Sequence, residues 1–83
     1  MRLPRDVAGT DLANRLGAFG YHITRQTGSH MRLTTQTNGE HHVTIPRHDP
    51  LRVGTLAGIL GEIAEHLGVT REELAQKLFA AGR

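Results

Sequence analysis

Apolar positions along this chain switch between two periods. Leu12, Ala13, Leu16 and Phe19 recur at helical spacing and predict a helix over about Thr10–Phe19, stopped by Gly20. From Tyr21 the period drops to two. Strands are predicted at Tyr21–Gln26, His30–Thr35 and His41–Pro46, with Tyr21, Ile23, Met31, Leu33, Val43 and Ile45 on the inner face. After a loop marked by Pro46 and Pro50, helical spacing returns. Leu56, Ile59, Leu60, Ile63 and Leu67 predict a second helix over about Gly54–Leu67, closed by Gly68. Gly58 and Gly61 within it each cost about 1 kcal/mol relative to Ala, and they suit close backbone packing. Thr70 and Glu73 form a capping box and Val69 staples onto Leu74, which starts a short third helix. An amphipathic sheet buries one side, so the helices cover the inner face. The expected architecture is α+β: helix, three-stranded antiparallel sheet, helix and short C-terminal helix, in a single domain over 1–83.

Strand register follows from parity, because residues directly opposite in an antiparallel pair share a face. Leu33 opposite Val43 excludes a two-residue Asn38-Gly39 loop. It predicts a three-residue loop, Thr37-Asn38-Gly39, with Gly39 left-handed. Ile23 opposite Leu33 predicts a Thr27-Gly28-Ser29 loop. The outer pairs would then be Gln26 with His30, Thr24 with Arg32, His22 and His42 with Thr34, and Arg32 with Thr44.

At 83 residues the chain buries only ~60–65% of its unfolded surface, so any chemistry belongs on an open face rather than in a deep cavity. It has no cysteine, which excludes disulfides and thiolate metal sites. The N-terminal residues lack the apolar run of a signal peptide, and no segment approaches the ~20 apolar residues of a membrane span. A cytoplasmic location is the default expectation. The net charge is only +2, but it is unevenly placed. Arg2, Arg5, Arg15, Arg25, Arg32, Arg47 and Arg52 precede a segment that holds Glu62, Glu65, Glu72 and Glu73. Such asymmetry suits a basic working surface with a more acidic rear.

The chemistry concentrates at Gly28-Ser29-His30-Met31-Arg32. Alternation places His30 and Arg32 on the outer face, away from Met31 and Leu33. Imidazole titrates near neutral pH and can take a proton from a 2′-hydroxyl or give one to a leaving 5′-oxygen. Arg32 supplies positive charge for the phosphorane. The Ser29 hydroxyl and the Gly28 N–H lie in the adjoining turn, where they can hold a phosphate oxygen. Arg25, Thr24, Thr44 and His42 are further candidate RNA contacts. His42 lies four residues along from His30, about 13 Å at strand rise, too far to serve the same phosphate. His22 and His42 therefore read as RNA-contacting or solvated, and His41 as half-buried packing. His48 and His66 join no visible constellation. His41 and His42 point to opposite faces and cannot readily share an ion with His48, so no metal and no other cofactor is expected. Nothing matches a Ser-His-Asp, Walker or dinucleotide signature.

Several strings together resemble the HicA-type (YcfA-like) mRNA interferase toxins of toxin–antitoxin pairs. They are Leu3-Pro4-Arg5-Asp6-Val7-Ala8-Gly9, Leu16 with Phe19-Gly20-Tyr21, Arg25-Gln26-Thr27-Gly28-Ser29-His30, His42-Val43-Thr44-Ile45-Pro46 with His48, and Gly54-Thr55-Leu56-Ala57-Gly58-Ile59-Leu60. The resemblance implies a double-stranded-RNA-binding-domain-like fold and an endoribonuclease that degrades mRNA. It implies His30 as the catalytic histidine and a HicB-type antitoxin as partner. The segment Glu62–Gly68 makes the second helix longer than the family's usual pattern. Two other classes compete: a non-catalytic RNA-binding module of the same fold, and a protein-interaction domain. Few aromatics are available for base stacking, so contacts to phosphate and 2′-hydroxyl are expected to dominate.

Overall fold

The structure is a computed structural model that describes residues 3–79. Helix α1 (Gly9–Arg15) tightens into a 3-10 turn over Leu16–Phe19, so the predicted first helix forms with a narrower last turn. Gly20 ends it at φ +87°. A Cβ there would lie 2.7 Å from the Thr37 hydroxyl and 2.9 Å from that of Thr35. Both its conformation and its surroundings therefore require glycine.

Strands β1 (His22–Gln26), β2 (His30–Thr35) and β3 (His41–Pro46) form an antiparallel sheet in the order β1-β2-β3. The β2–β3 register is the predicted one: Arg32 opposes Thr44, Leu33 opposes Val43 and Thr34 opposes His42. Its turn closes with Gly39 N–H donating to the Gln36 carbonyl at 3.1 Å, with Gly39 at φ +96° and Asn38 also left-handed at +59°.

The β1–β2 hairpin departs from expectation. His22 opposes Thr34 and Ile23 opposes Leu33, but a bulge at Thr24 then shifts the ladder. Arg25, not Thr24, faces Arg32, and Gln26 faces Met31 rather than His30. The turn lengthens accordingly, closed by Thr27 N–H donating to the His30 carbonyl at 2.9 Å. A local gain accompanies the extra residue, since the Thr24 hydroxyl lies 2.8 Å from that of Thr34 and 3.3 Å from the Arg32 carbonyl.

Helices α2 (Val53–Leu67) and α3 (Arg71–Phe79) complete the fold. Tyr21, Met31, Leu33, Val43 and Ile45 are buried as predicted, against Leu12, Leu16, Leu56, Ile59, Leu60 and Ile63. Ile23 is the exception. It shares the inner face with Leu33, yet it remains 44% exposed, as β1 is exposed throughout; the opposite edge strand, β3, buries Val43 and Ile45 in the core. Two of the three α2 glycines, Gly58 and Gly61, also differ. A Cβ on Gly61 would meet the Arg71 side chain at 3.3 Å, whereas one on Gly58 would meet nothing. The α3 capping box forms in both directions: Thr70 N–H donates to Glu73 Oε1 at 2.9 Å, and Glu73 N–H to Thr70 Oγ1 at 3.0 Å. These bonds to the carboxylate and its cap hold Glu73 below the usual carboxylate range.

The segment before α1 carries the exit from β3. Leu51 N–H donates to the Val7 carbonyl at 2.7 Å and Gly9 N–H to the His48 carbonyl at 2.8 Å. A Cβ on Gly9 would overlap the Pro46 carbonyl. Pro46 lies directly opposite His30, so this close approach sets the strand beside the candidate site.

Candidate nucleic-acid interface

The outer face of the sheet is built from alternate residues of β2 and β3 and, on β1, from His22 and the adjacent bulge residues Thr24 and Arg25. His30, Arg32 and Thr34 come from β2, Pro46, Thr44 and His42 from β3, and Arg25, Thr24 and His22 from β1. His30 is exposed. Its Nδ1 lies 3.0 Å from the Ser29 hydroxyl, and its Nε2 makes no hydrogen bond to any described residue. The turn is tied down from both sides, by Thr27 N–H on the His30 carbonyl and by Arg47 N–H on the Ser29 carbonyl at 2.9 Å. Gly28 does not have a left-handed φ, and a Cβ there would meet nothing. Glycine therefore leaves backbone open at this turn instead of relieving strain. An imidazole fixed at one nitrogen and open at the other can exchange a proton with a ligand on the face.

Arg25 and Arg32 stand directly opposite each other, both exposed, and neither joins an ion pair among the described residues. Not every arginine of the basic first two thirds is free in this way. Arg15 lies 3.1 Å from Asp11, donates to the Leu78 carbonyl at 2.6 Å and sits over the Phe79 ring, so it fastens α1 to α3. Arg2 lies outside the described residues.

Beyond the arginines runs a hydrogen-bonded chain. Glu40 Oε2 lies 2.9 Å from His42 Nε2, His42 Nδ1 lies 2.7 Å from the Thr34 hydroxyl, and that hydroxyl lies 2.8 Å from the Thr24 hydroxyl. With both ring nitrogens engaged, His42 is held in place. Thr34, expected to be open, is only 6% exposed because these partners cover it. A signal for the chain was present in the sequence: Glu40 and His42 flank His41 at the same parity.

The other side of the hairpin holds a second histidine cluster, of which His66 is the unforeseen part. His66 Nε2 lies 2.8 Å from the Thr37 carbonyl and 3.1 Å from that of Gly39. Carbonyls only accept, so this nitrogen carries a proton. The His66 ring stacks on His41 at 4.3 Å between centroids. His41 is half-buried, as expected, and its Nδ1 lies 2.8 Å from the Tyr21 hydroxyl. Burial, reinforced by the Glu62 charge, pushes the Tyr21 hydroxyl up to about 12. Burial also lowers His41, with His66 and His42 acting in the same direction and Glu62 opposing them. His41 and His42 thus serve opposite faces. Among the described residues no group of three or more His, Cys, Asp or Glu is placed to hold a metal ion, and no helix is long and apolar enough to cross a membrane.

The fold and this face define a small α+β protein whose open sheet surface carries two arginines unpaired among the described residues, beside an imidazole open at Nε2. A family model described as the HicA toxin of bacterial toxin-antitoxin matches residues 9–69, most of the chain. The chain belongs to the HicA toxin family, and membership implies a partner within a toxin–antitoxin pair. Searches among curated proteins and among solved structures each found no match.

Proposed function

We propose that this protein is an endoribonuclease toxin that cuts mRNA without a metal ion and is silenced by a HicB-type antitoxin covering the same face. The observation that carries the reading is His30 itself: an exposed imidazole anchored through Nδ1 to Ser29, open at Nε2, two residues from Arg32. In the proposed reaction the RNA 2′-hydroxyl oxygen attacks the adjacent phosphorus and the bond to the 5′-oxygen breaks. The products are a 2′,3′-cyclic phosphate and a 5′-hydroxyl. His30 takes the 2′-hydroxyl proton or protonates the leaving 5′-oxygen, water carries the other proton, and the Ser29 contact selects the ring orientation. Arg32 and Arg25 offset the charge that builds on the phosphorane. Gly28 and Ser29 steady a phosphate oxygen, and Thr24, Thr44 and His42 flank the RNA path.

The reading is tested by incubating RNA with wild type and with His30→Ala in excess EDTA and mapping the new ends. Wild type is expected to cut and leave cyclic-phosphate ends, and the variant to leave RNA intact. Equal cutting by both proteins removes His30 from the reaction, and loss of cutting on chelation returns the reaction to a metal.

A further inference from the structure

We propose that Arg25 and Arg32 form a clamp for a single RNA phosphate next to the one at His30, and that the Glu40–His42–Thr34–Thr24 chain is the positioning network that holds Arg25 in it. This deepens the RNA-binding part of the reading above. Without the bulge, strand alternation would turn Arg25 toward the helices and place neutral Thr24 opposite Arg32. The shifted ladder instead sets the two arginines across from each other, both exposed. Like charges directly opposite on a sheet repel, and no acidic side chain among the described residues pairs with either one. The fold therefore maintains an unfavourable juxtaposition that an anion between the two would relieve. Arginine suits that ligand, because its planar fork matches phosphate oxygens. Arg32 lies two residues from His30, about 6.6 Å along the strand, so the clamped phosphate belongs to a neighbouring nucleotide and not to the reacting link.

The bulge has its own support. Thr24 is the extra residue, and its hydroxyl is bonded to Thr34 Oγ1 and the Arg32 carbonyl. Thr34 is fixed by His42, and His42 by Glu40. Removing the Thr34 hydroxyl cuts this chain at its buried centre without touching RNA.

The test is binding, not cleavage, and uses a short 2′-O-methyl oligoribonucleotide that the protein cannot cut. Affinity is measured across a salt series for wild type, Arg25→Ala, Arg32→Ala, the double variant, Thr34→Val, and Thr34→Val combined with Arg25→Ala. Neutralised phosphates on a single strand each contribute about 0.7 to the slope of log K against log salt. The double arginine variant is expected to lose one such contribution, and a loss near ~1.4 places the arginines on separate phosphates and overturns the clamp. Thr34→Val should weaken binding as Arg25→Ala does and add nothing to it. Wild-type affinity in Thr34→Val, or an independent loss in the combined variant, overturns the positioning role. Where Thr34→Val does not fold, Glu40→Gln, which loosens His42 from the far end of the chain and is not among the RNA contacts named above, gives the comparison. A wild type that binds with these slopes but cuts no RNA leaves the clamp standing and removes the nuclease reading, whereas one that cuts RNA with unaltered slopes in the variants does the reverse.

Discussion

The two hairpins of the sheet share strand β2 but are built to opposite ends. The β2–β3 hairpin keeps an unbroken register, and its turn is held against α2 by His66 on two carbonyls and by Asn38 Nδ2 on the His66 carbonyl at 3.4 Å. The β1–β2 hairpin is bulged and exposed along its whole first strand. Its turn carries an imidazole with a free nitrogen. Histidine serves both ends, as a strut in the first and as an exposed ring with an open Nε2, the proposed reactive group, in the second. The difference lies in what surrounds the ring: carbonyls and a second ring around His66, one hydroxyl and solvent around His30. A histidine's role is therefore read from its unsatisfied nitrogen rather than from its presence on a strand or helix.

The contrast is broken most sharply at His30. His30→Ala should lower cutting by at least about a hundredfold, the usual floor for loss of a general acid–base group, with the melting temperature unchanged. Single-turnover cleavage beside a thermal melt reads both quantities. Gly9→Ala comes next. A methyl forced against the Pro46 carbonyl should cost about 1–3 kcal/mol and displace the residue opposite His30, lowering stability and cutting together. His66→Ala is the mirror image of His30→Ala. Losing its two carbonyl contacts should cost about 1–2 kcal/mol in denaturant unfolding, with cleavage by the folded protein unaltered. The smallest effect is in pH. His41 titrates below the ordinary imidazole value in the folded protein, chiefly through burial. The unfolded chain therefore takes up that proton first, near pH ~6.5. Stability from this site is complete above that value and is lost as the pH falls toward the folded-state value. His41→Gln should flatten this part of the stability profile.

Much of this was legible in the residues. The β2–β3 register followed from parity and Asn38-Gly39, because Met31, Leu33, Val43 and Ile45 alternate with polar neighbours and the turn admits few conformations. The α3 start followed from Thr70 and Glu73, whose reciprocal bonds are local. The site face followed from alternation at His30 and Arg32. The bulge did not, because its support is a hydroxyl contact between Thr24 and Thr34, ten residues apart, and alternation alone favours the regular ladder. Periodicity puts Ile23 on the inner face but does not report whether a neighbouring layer extends over β1. His66 leaves no sequence signal, because its partners are backbone carbonyls in a turn more than twenty-five residues away. Such acceptors carry no side-chain signature.

The kink in β1 also bears on how copies of this chain meet one another. An open strand edge offers unpaired amides on which another chain can grow, and an interrupted ladder bearing cations is a poor template for that growth. The same extra residue that turns Arg25 outward thus discourages edge-to-edge pairing of β1 with the sheet of a second copy.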